Sequence, residues 1–339
     1  MRASVRAAAF QSGESPSRGL GRALASPVAF FLVLALLLCS FVYLCAVLSR
    51  VLVPDRASVG MSVFVPESAS SAIALRGPGA LPLASVPRED ERLAAAVAGA
   101  LGNRAASASV AVINLDDDRR ATHAAGRTWY AASTFKLALL YEAERRHAAG
   151  EVEYEDRLVL TEEALSEDLG TIDRVPIAPD GTVSIGEALT AMITLSDNAT
   201  AVALLRHLGP AEVDATLRDL GLTAMSVNTE DLPVTVADLA RLMLAIISGE
   251  GVGEEEQSHM RALLLDQTIR DGIPAGLPPG VASATGNKTG TWPGMTADVA
   301  FVETSSGRYV LAVFADGDWN WPLVRDVSSA VYEEMVRGR

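Results

Sequence analysis

Strand-like segments stand at both ends of the stretch from residue 89 to residue 339, and helix-like segments fill its middle. Residues 92–101 form an alanine-rich helical segment, and residues 109–115 (Ser-Val-Ala-Val-Ile-Asn-Leu) read as a strand. Asp116-Asp-Asp-Arg-Arg120 is a turn, and a second strand leads towards Trp129 and Tyr130. Helical periodicity then covers 134–147, 185–195, 199–207, 211–220, 236–247 and 254–265. Two more strands, 297–302 and 309–315, flank a turn at Ser305-Ser-Gly307, and a last helix runs from about 322 to 336. A two-residue period at the ends and a helical period between them predict an α/β fold. Its sheet is shared by both chain ends and flanked by helices, with an all-α subdomain inserted.

The first 50 residues differ in kind. Residues 23–49 are 27 residues without a charge. About 20 apolar residues suffice to cross a bilayer. Arg2, Arg6, Arg18 and Arg22 precede the run, so the positive-inside rule places the N-terminus in the cytoplasm. The run is too long for the core of a cleaved signal peptide, and no small residue precedes Cys39 or Cys45 in the manner of a lipidation site. The expected organisation is therefore a cytoplasmic tail (1–22), one transmembrane anchor (23–53), a linker (54–88) and a folded domain (89–339). The linker is broken by Pro66, Pro78, Pro82 and Pro87. Both cysteines lie in the apolar run, so the folded domain has neither disulfide nor cysteine metal site. The formal net charge of −14 argues against a nucleic-acid partner.

Of 28 basic residues only two are lysine, Lys136 and Lys288. Arginine serves wherever surface charge is enough. A lysine among so many arginines marks a place where arginine does not serve: a lysine amine can lose its proton, which a guanidinium does not do, and its ammonium is a compact point charge. Lys136 closes Ser133-Thr-Phe-Lys136, Lys288 opens Lys288-Thr-Gly290, and Ser196-Asp-Asn198 lies between them. Serine and lysine three apart on a helix share one face. Ser133 and Ser196 could each be a plain helix cap, but the pairing of Ser133 with one of only two lysines favours a nucleophile activated by a neutral amine.

These three motifs, in this order, resemble those of the class A β-lactamases and penicillin-binding proteins. Thr194-Leu-Ser-Asp-Asn-Ala-Thr200 and Asn287-Lys-Thr-Gly-Thr291 extend the likeness over residues 89–339. The resemblance implies an antiparallel β-lactamase/transpeptidase-like fold and a serine hydrolase working through a Ser133 acyl-enzyme. It implies Lys136 as the base, Ser196 as the proton relay to the leaving atom, and Lys288 as a positive field that attracts a substrate carboxylate and keeps Lys136 deprotonated. Asn198, Thr289, Gly290 and Thr291 would contact substrate, with the N–H groups of Ser133 and Thr291 as the oxyanion hole. Asp197 would tie down its own loop. No cofactor or metal is implied, and His123, His147, His207 and His259 fall outside the motifs.

One departure matters. Class A enzymes hydrolyse the acyl-enzyme with a glutamate in a Glu-x-x-Leu-Asn stretch. Here the segment 221–235 is short and lacks it, leaving Glu230 as the nearest substitute. Glu230 is by ordinary exposure a solvated loop carboxylate. The expected activity is β-lactam opening, with slow release of the acyl group. The alternatives are a D,D-peptidase or esterase acting on D-Ala-D-Ala-like substrates, or a membrane β-lactam sensor. The expected location is the outer face of a bacterial cytoplasmic membrane.

Overall fold

The computed structural model describes residues 88–117, 119–305 and 307–337. The anchor at 23–53 and the linker up to 87 lie outside the described residues. Among the described residues no helix is long and apolar enough to cross a membrane.

Helix α1 (Glu91–Leu101) begins where the Asp90 carboxylate accepts the Arg92 and Leu93 amides at 3.0 and 3.1 Å, satisfying two of the N–H groups a helix start leaves open. Strands β1 (Ala108–Asn114) and β2 (Arg120–His123) follow, and β7 (Thr285–Trp292), β8 (Met295–Thr304) and β9 (Gly307–Asp316) complete a five-stranded antiparallel sheet. Its order is β2-β1-β9-β8-β7. The first and last strands of the described residues thus share one sheet, with β7 at the edge.

The central strands are apolar at nearly every position because both sheet faces are covered. Along β9, Val310, Ala312 and Phe314 face one core, while Leu311, Val313 and Ala315 face the other. The second core is closed by Leu93, Val97 and Leu101 of α1 and by Leu323, Val324, Val327 and Val331 of the last helix, α10 (Trp321–Arg337). The first core is closed by the inserted segment. At its centre runs α2 (Lys136–Ala148), with residues 136–144 all buried, as a helix surrounded by other elements requires. Around it pack α5 (Asn198–Leu208), α6 (Pro210–Asp219), α7 (Val236–Ser248) and α8 (Glu254–Leu265). The short helices α3 (Glu162–Ser166) and α4 (Ile185–Thr190) precede α5, and α9 (Pro279–Ala282) precedes β7.

The insertion is not all helical. Arg157–Val159 (β4) pairs with Thr182–Ser184 (β5), and Trp129–Tyr130 (β3) pairs with Pro233–Val234 (β6). Trp129 and Tyr130 therefore leave the main sheet, contrary to the expectation of one strand running from the turn at 116–120. The chain breaks after His123 and opens a separate two-residue ladder, where Ala131 N donates to Leu232 O at 2.9 Å. Segments this short carry no readable period.

Candidate active site

Four elements meet at one cleft between the edge strand β7 and the inserted segment. The first is a 3₁₀ turn, Ala132–Phe135, that leads into α2. It begins at Ala132, held at φ +44°. In a 3₁₀ turn residues three apart eclipse, and Lys136 Nζ lies 3.1 Å from Ser133 Oγ. Ser133 thus sits in the 3₁₀ turn before the α-helix.

The second is the loop before α5. Residues Ala191–Leu195 form a π turn whose carbonyls are gripped from the side. Gln267 Nε2 donates to Ile193 O at 2.7 Å, and Thr268 donates twice to Thr194 O. The turn delivers Ser196 in the left-handed region, φ +60°. Backbone held this way by its surroundings is a common mark of a working site. Asp197 is buried; it caps α5 through Thr200 N and accepts Thr171 Oγ1 at 2.6 Å. It ties down its loop.

The third element is α2 itself. Lys136 Nζ donates to Ser196 O at 2.7 Å and Asn198 Oδ1 at 2.6 Å, and stands 3.4 Å from Ser196 Oγ. Burial holds its amine well below the usual lysine pKa; the charge of Lys288 lowers it further, and Asp197 opposes both. A neutral amine has two N–H bonds. The two short contacts to carbonyl oxygens use both, and the lone pair is left for a hydroxyl proton.

The fourth is β7. Lys288 Nζ donates to Ser196 Oγ and to Thr289 O, both at 2.9 Å. Lys288 is wholly buried although its strand is an edge. Burial lowers its pKa to about 7, with Asp298 opposing. Thr289 and Gly290 are also buried, and Thr291 is half-buried. A side chain at Gly290 would sit 3.0 Å from Thr134 Cγ2, 3.1 Å from Ala131 O and 3.3 Å from Thr134 N. Only glycine lets β7 lie this close to the turn carrying Ser133.

The structure thus gathers Ser133, Lys136, Ser196, Asn198 and Lys288 into one hydrogen-bonded cluster, with Thr289, Gly290 and Thr291 on the adjoining strand. Glu230 is exposed on the loop before Pro233, and among the described residues no hydrogen bond joins it to the cluster. The histidines lie elsewhere: His147 meets Glu256, His259 meets Glu144, His123 meets the Ala105 carbonyl, and His207 is exposed.

The mouth of the cleft carries no mark in the sequence. Beyond Thr291 a hollow of about 400 Å³ is lined by Leu169, Trp292, Pro293, Met295, Asp318 and Trp319. Leu169, Trp292 and Trp319 are 86, 54 and 66% exposed, an unusual gathering of large apolar side chains on one rim. Trp292 also packs on Tyr130 at 4.8 Å. Their loops are tied together: Gly317 N donates to Gly294 O at 2.8 Å and Gly294 N to Asp318 Oδ1 at 2.6 Å. Trp292 follows the Lys-Thr-Gly-Thr run directly, but nothing in the sequence shows it uncovered.

Residues 91–335 match the model of the Beta-lactamase enzyme family. The chain belongs to that family. Membership makes it a serine hydrolase of the β-lactamase kind. Among solved structures, a mutant of PBP-A in acyl-enzyme complex with penicillin G superposes with a TM-score of 0.67 at 24% identity, covering 74% of this chain and 98% of that one. A variant of the reconstructed last common ancestor of Gram-negative class A β-lactamases gives 0.65 at 23% identity, covering 73% and 99%. A β-lactamase from Xanthomonas campestris pv. campestris gives 0.64 at 20%, covering 73% and 99%. At these identities the structural likeness establishes the α/β β-lactamase fold. A search of curated protein sequences gives no match.

Proposed function

We propose that this β-lactamase-family hydrolase opens β-lactam rings through an ester on Ser133 and releases the product slowly. The observation that carries the reading is the unbroken chain of contacts Ser133–Lys136–Ser196–Lys288, built from both lysines of the protein. Neutral Lys136 takes the Ser133 proton as Oγ attacks the lactam carbonyl. The Ser133 and Thr291 N–H groups stabilise the oxyanion. The lactam C–N bond then breaks, and Ser196 passes a proton to the departing nitrogen. Lys288 is covered, so it acts through Ser196 and through its field on an anion lying along Thr289–Thr291. Asn198 holds Lys136 and offers its amide to the substrate.

Deacylation needs a base for water. Among the described residues no carboxylate contacts Ser133, and the loop at 221–235 has none in the required stretch. This favours an ester that persists, and it keeps open a second reading: a D,D-peptidase or esterase on D-Ala-D-Ala-like substrates. The apolar hollow beyond Thr291 favours substrates with a bulky apolar group on the acyl side. The arginine-flanked run at 23–53 supports a single-pass anchor, with the domain outside a bacterial cytoplasmic membrane.

Intact mass after penicillin G tests the reading. A stoichiometric adduct, absent in Ser133→Ala and decaying over minutes to hours, is expected. No adduct and no hydrolysed product would overturn it. Glu230→Gln should leave the decay within about twofold, as for any exposed carboxylate remote from the reaction; a large slowing would make Glu230 the missing base.

A further inference from the structure

Asp298 has no part in the chemistry above, yet it is the only wholly buried carboxylate among the described strand residues. It stands on β8 opposite Thr289. Its Oδ1 accepts Asn287 Nδ2 at 3.0 Å, and its Oδ2 accepts Ile273 N at 2.7 Å. Asn287 Oδ1 in turn accepts Arg270 Nη1 at 3.1 Å. The amide just before Lys288 therefore bridges a cation to an anion, and that bridge fixes the strand on which Lys288 sits.

The placement is costly for a merely structural residue. Among the described residues Asp298 forms no salt bridge, and neither does Lys288. A buried charge without a counter-charge is strongly disfavoured. The two are one strand apart and on opposite faces of the sheet. Asp298 lies with Ile273 and Ser328 towards α10, and Lys288 lies towards Ser196. Each offsets the other through β7 without touching it.

We propose that Asp298 is a positioning residue: it supplies the counter-charge that keeps Lys288 an ammonium, and the Arg270–Asn287 bridge holds it in place. The consequence for rate rests on the acyl-transfer reading; the charge relationship does not. The charged groups around Lys288 are few. Lys288 disfavours the proton of Lys136 on α2, Asp197 at the start of α5 favours it, Asp298 favours the proton of Lys288, and Arg270 acts on Asp298. Burial raises Asp298 to about 6, while Asn287, the Ile273 amide, Lys288 and Arg270 hold it down.

The scarcity of lysine makes the test direct. The full-length chain labelled with ε-¹³C lysine gives two Cε signals, assigned by Lys136→Met. In Asp298→Asn the Lys288 midpoint should fall by about one pH unit, and the alkaline limb of penicillin acylation should fall with it, costing about tenfold on that limb. Acylation at pH 6 should stay within about threefold of the parent, an outcome lost stability alone would not select. An unmoved Lys288 midpoint in folded Asp298→Asn overturns the proposal. Should that variant not fold, the native chain decides. Coupling to Asp298 predicts a second inflection in the Lys288 titration near pH 6, and a single-step curve overturns it. Failure of acylation with the expected lysine shift would instead reject the acyl-transfer reading alone.

Discussion

Lys288 Nζ and Ser196 Oγ stand 2.9 Å apart, joined across the cleft from strand β7 to the loop before α5. Ser196 Oγ is also within 3.4 Å of Lys136 Nζ, so one hydroxyl lies between two amines. Two ammonium groups so placed repel, and burial disfavours both charges. The favourable state carries one positive charge between them: Lys136 neutral and Lys288 charged.

That state predicts a bell-shaped pH dependence. Neutral Lys136 is gained as pH rises through its lowered pKa, and charged Lys288 is lost as pH rises through about 7. The second-order acylation rate, which reports free-enzyme groups, should rise on the acid side and fall above about pH 7. At saturation with an anionic substrate the alkaline limb should move up, because bound negative charge favours the ammonium. Stopped-flow acylation from pH 4 to 10 checks both limbs; a rate flat across neutrality would remove Lys288 from the step.

Lys136→Arg should abolish acylation, by about 10³-fold or more, since a guanidinium keeps its proton. Adduct formation with penicillin G measures it. An active arginine variant would mean that another group takes the Ser133 proton.

Gly290→Ala should push β7 off the nucleophile turn. The added carbon meets Ala131 and Thr134 backbone at 3.1 and 3.3 Å, where nothing flexible can yield. Overpacking of this kind costs about 1–3 kcal/mol, and acylation should fall about 10- to 100-fold, since a misplacement of about 1 Å can cost about 100-fold. Thermal melting and acylation rates measure the two effects separately.

Trp292→Ala and Trp319→Ala should discriminate among substrates. Losing apolar contact in a pocket is worth about 1–3 kcal/mol, so kcat/KM for β-lactams with aromatic acyl groups should drop about 10-fold or more. Unsubstituted analogues should change little. Equal losses for both would mean that the rim supports the fold and does not contact substrate.

The identity of the reactive residues was legible because their chemistry leaves few choices. Ser133 and Lys136 are locked by a three-residue spacing that any helical turn brings together, and the preference for arginine elsewhere exposes the two lysines. Helix limits were legible where apolar periodicity was long, as in α7, expected over 236–247 and found at Val236–Ser248. The ladder of Trp129–Tyr130 with Pro233–Val234 was not, because two residues carry no period.

By itself, then, the sequence determined which side chains can react and the order of strands and helices, since residue type and local period are properties of the chain alone. Only the tertiary structure decided that Lys288 is covered and titrates near neutrality. It also decided that Asp298 faces it through a strand, that Gly290 leaves room for one backbone against another, and that two tryptophans stand uncovered at the cleft mouth. Burial and distance between residues far apart in the chain set those properties, and no local pattern encodes them.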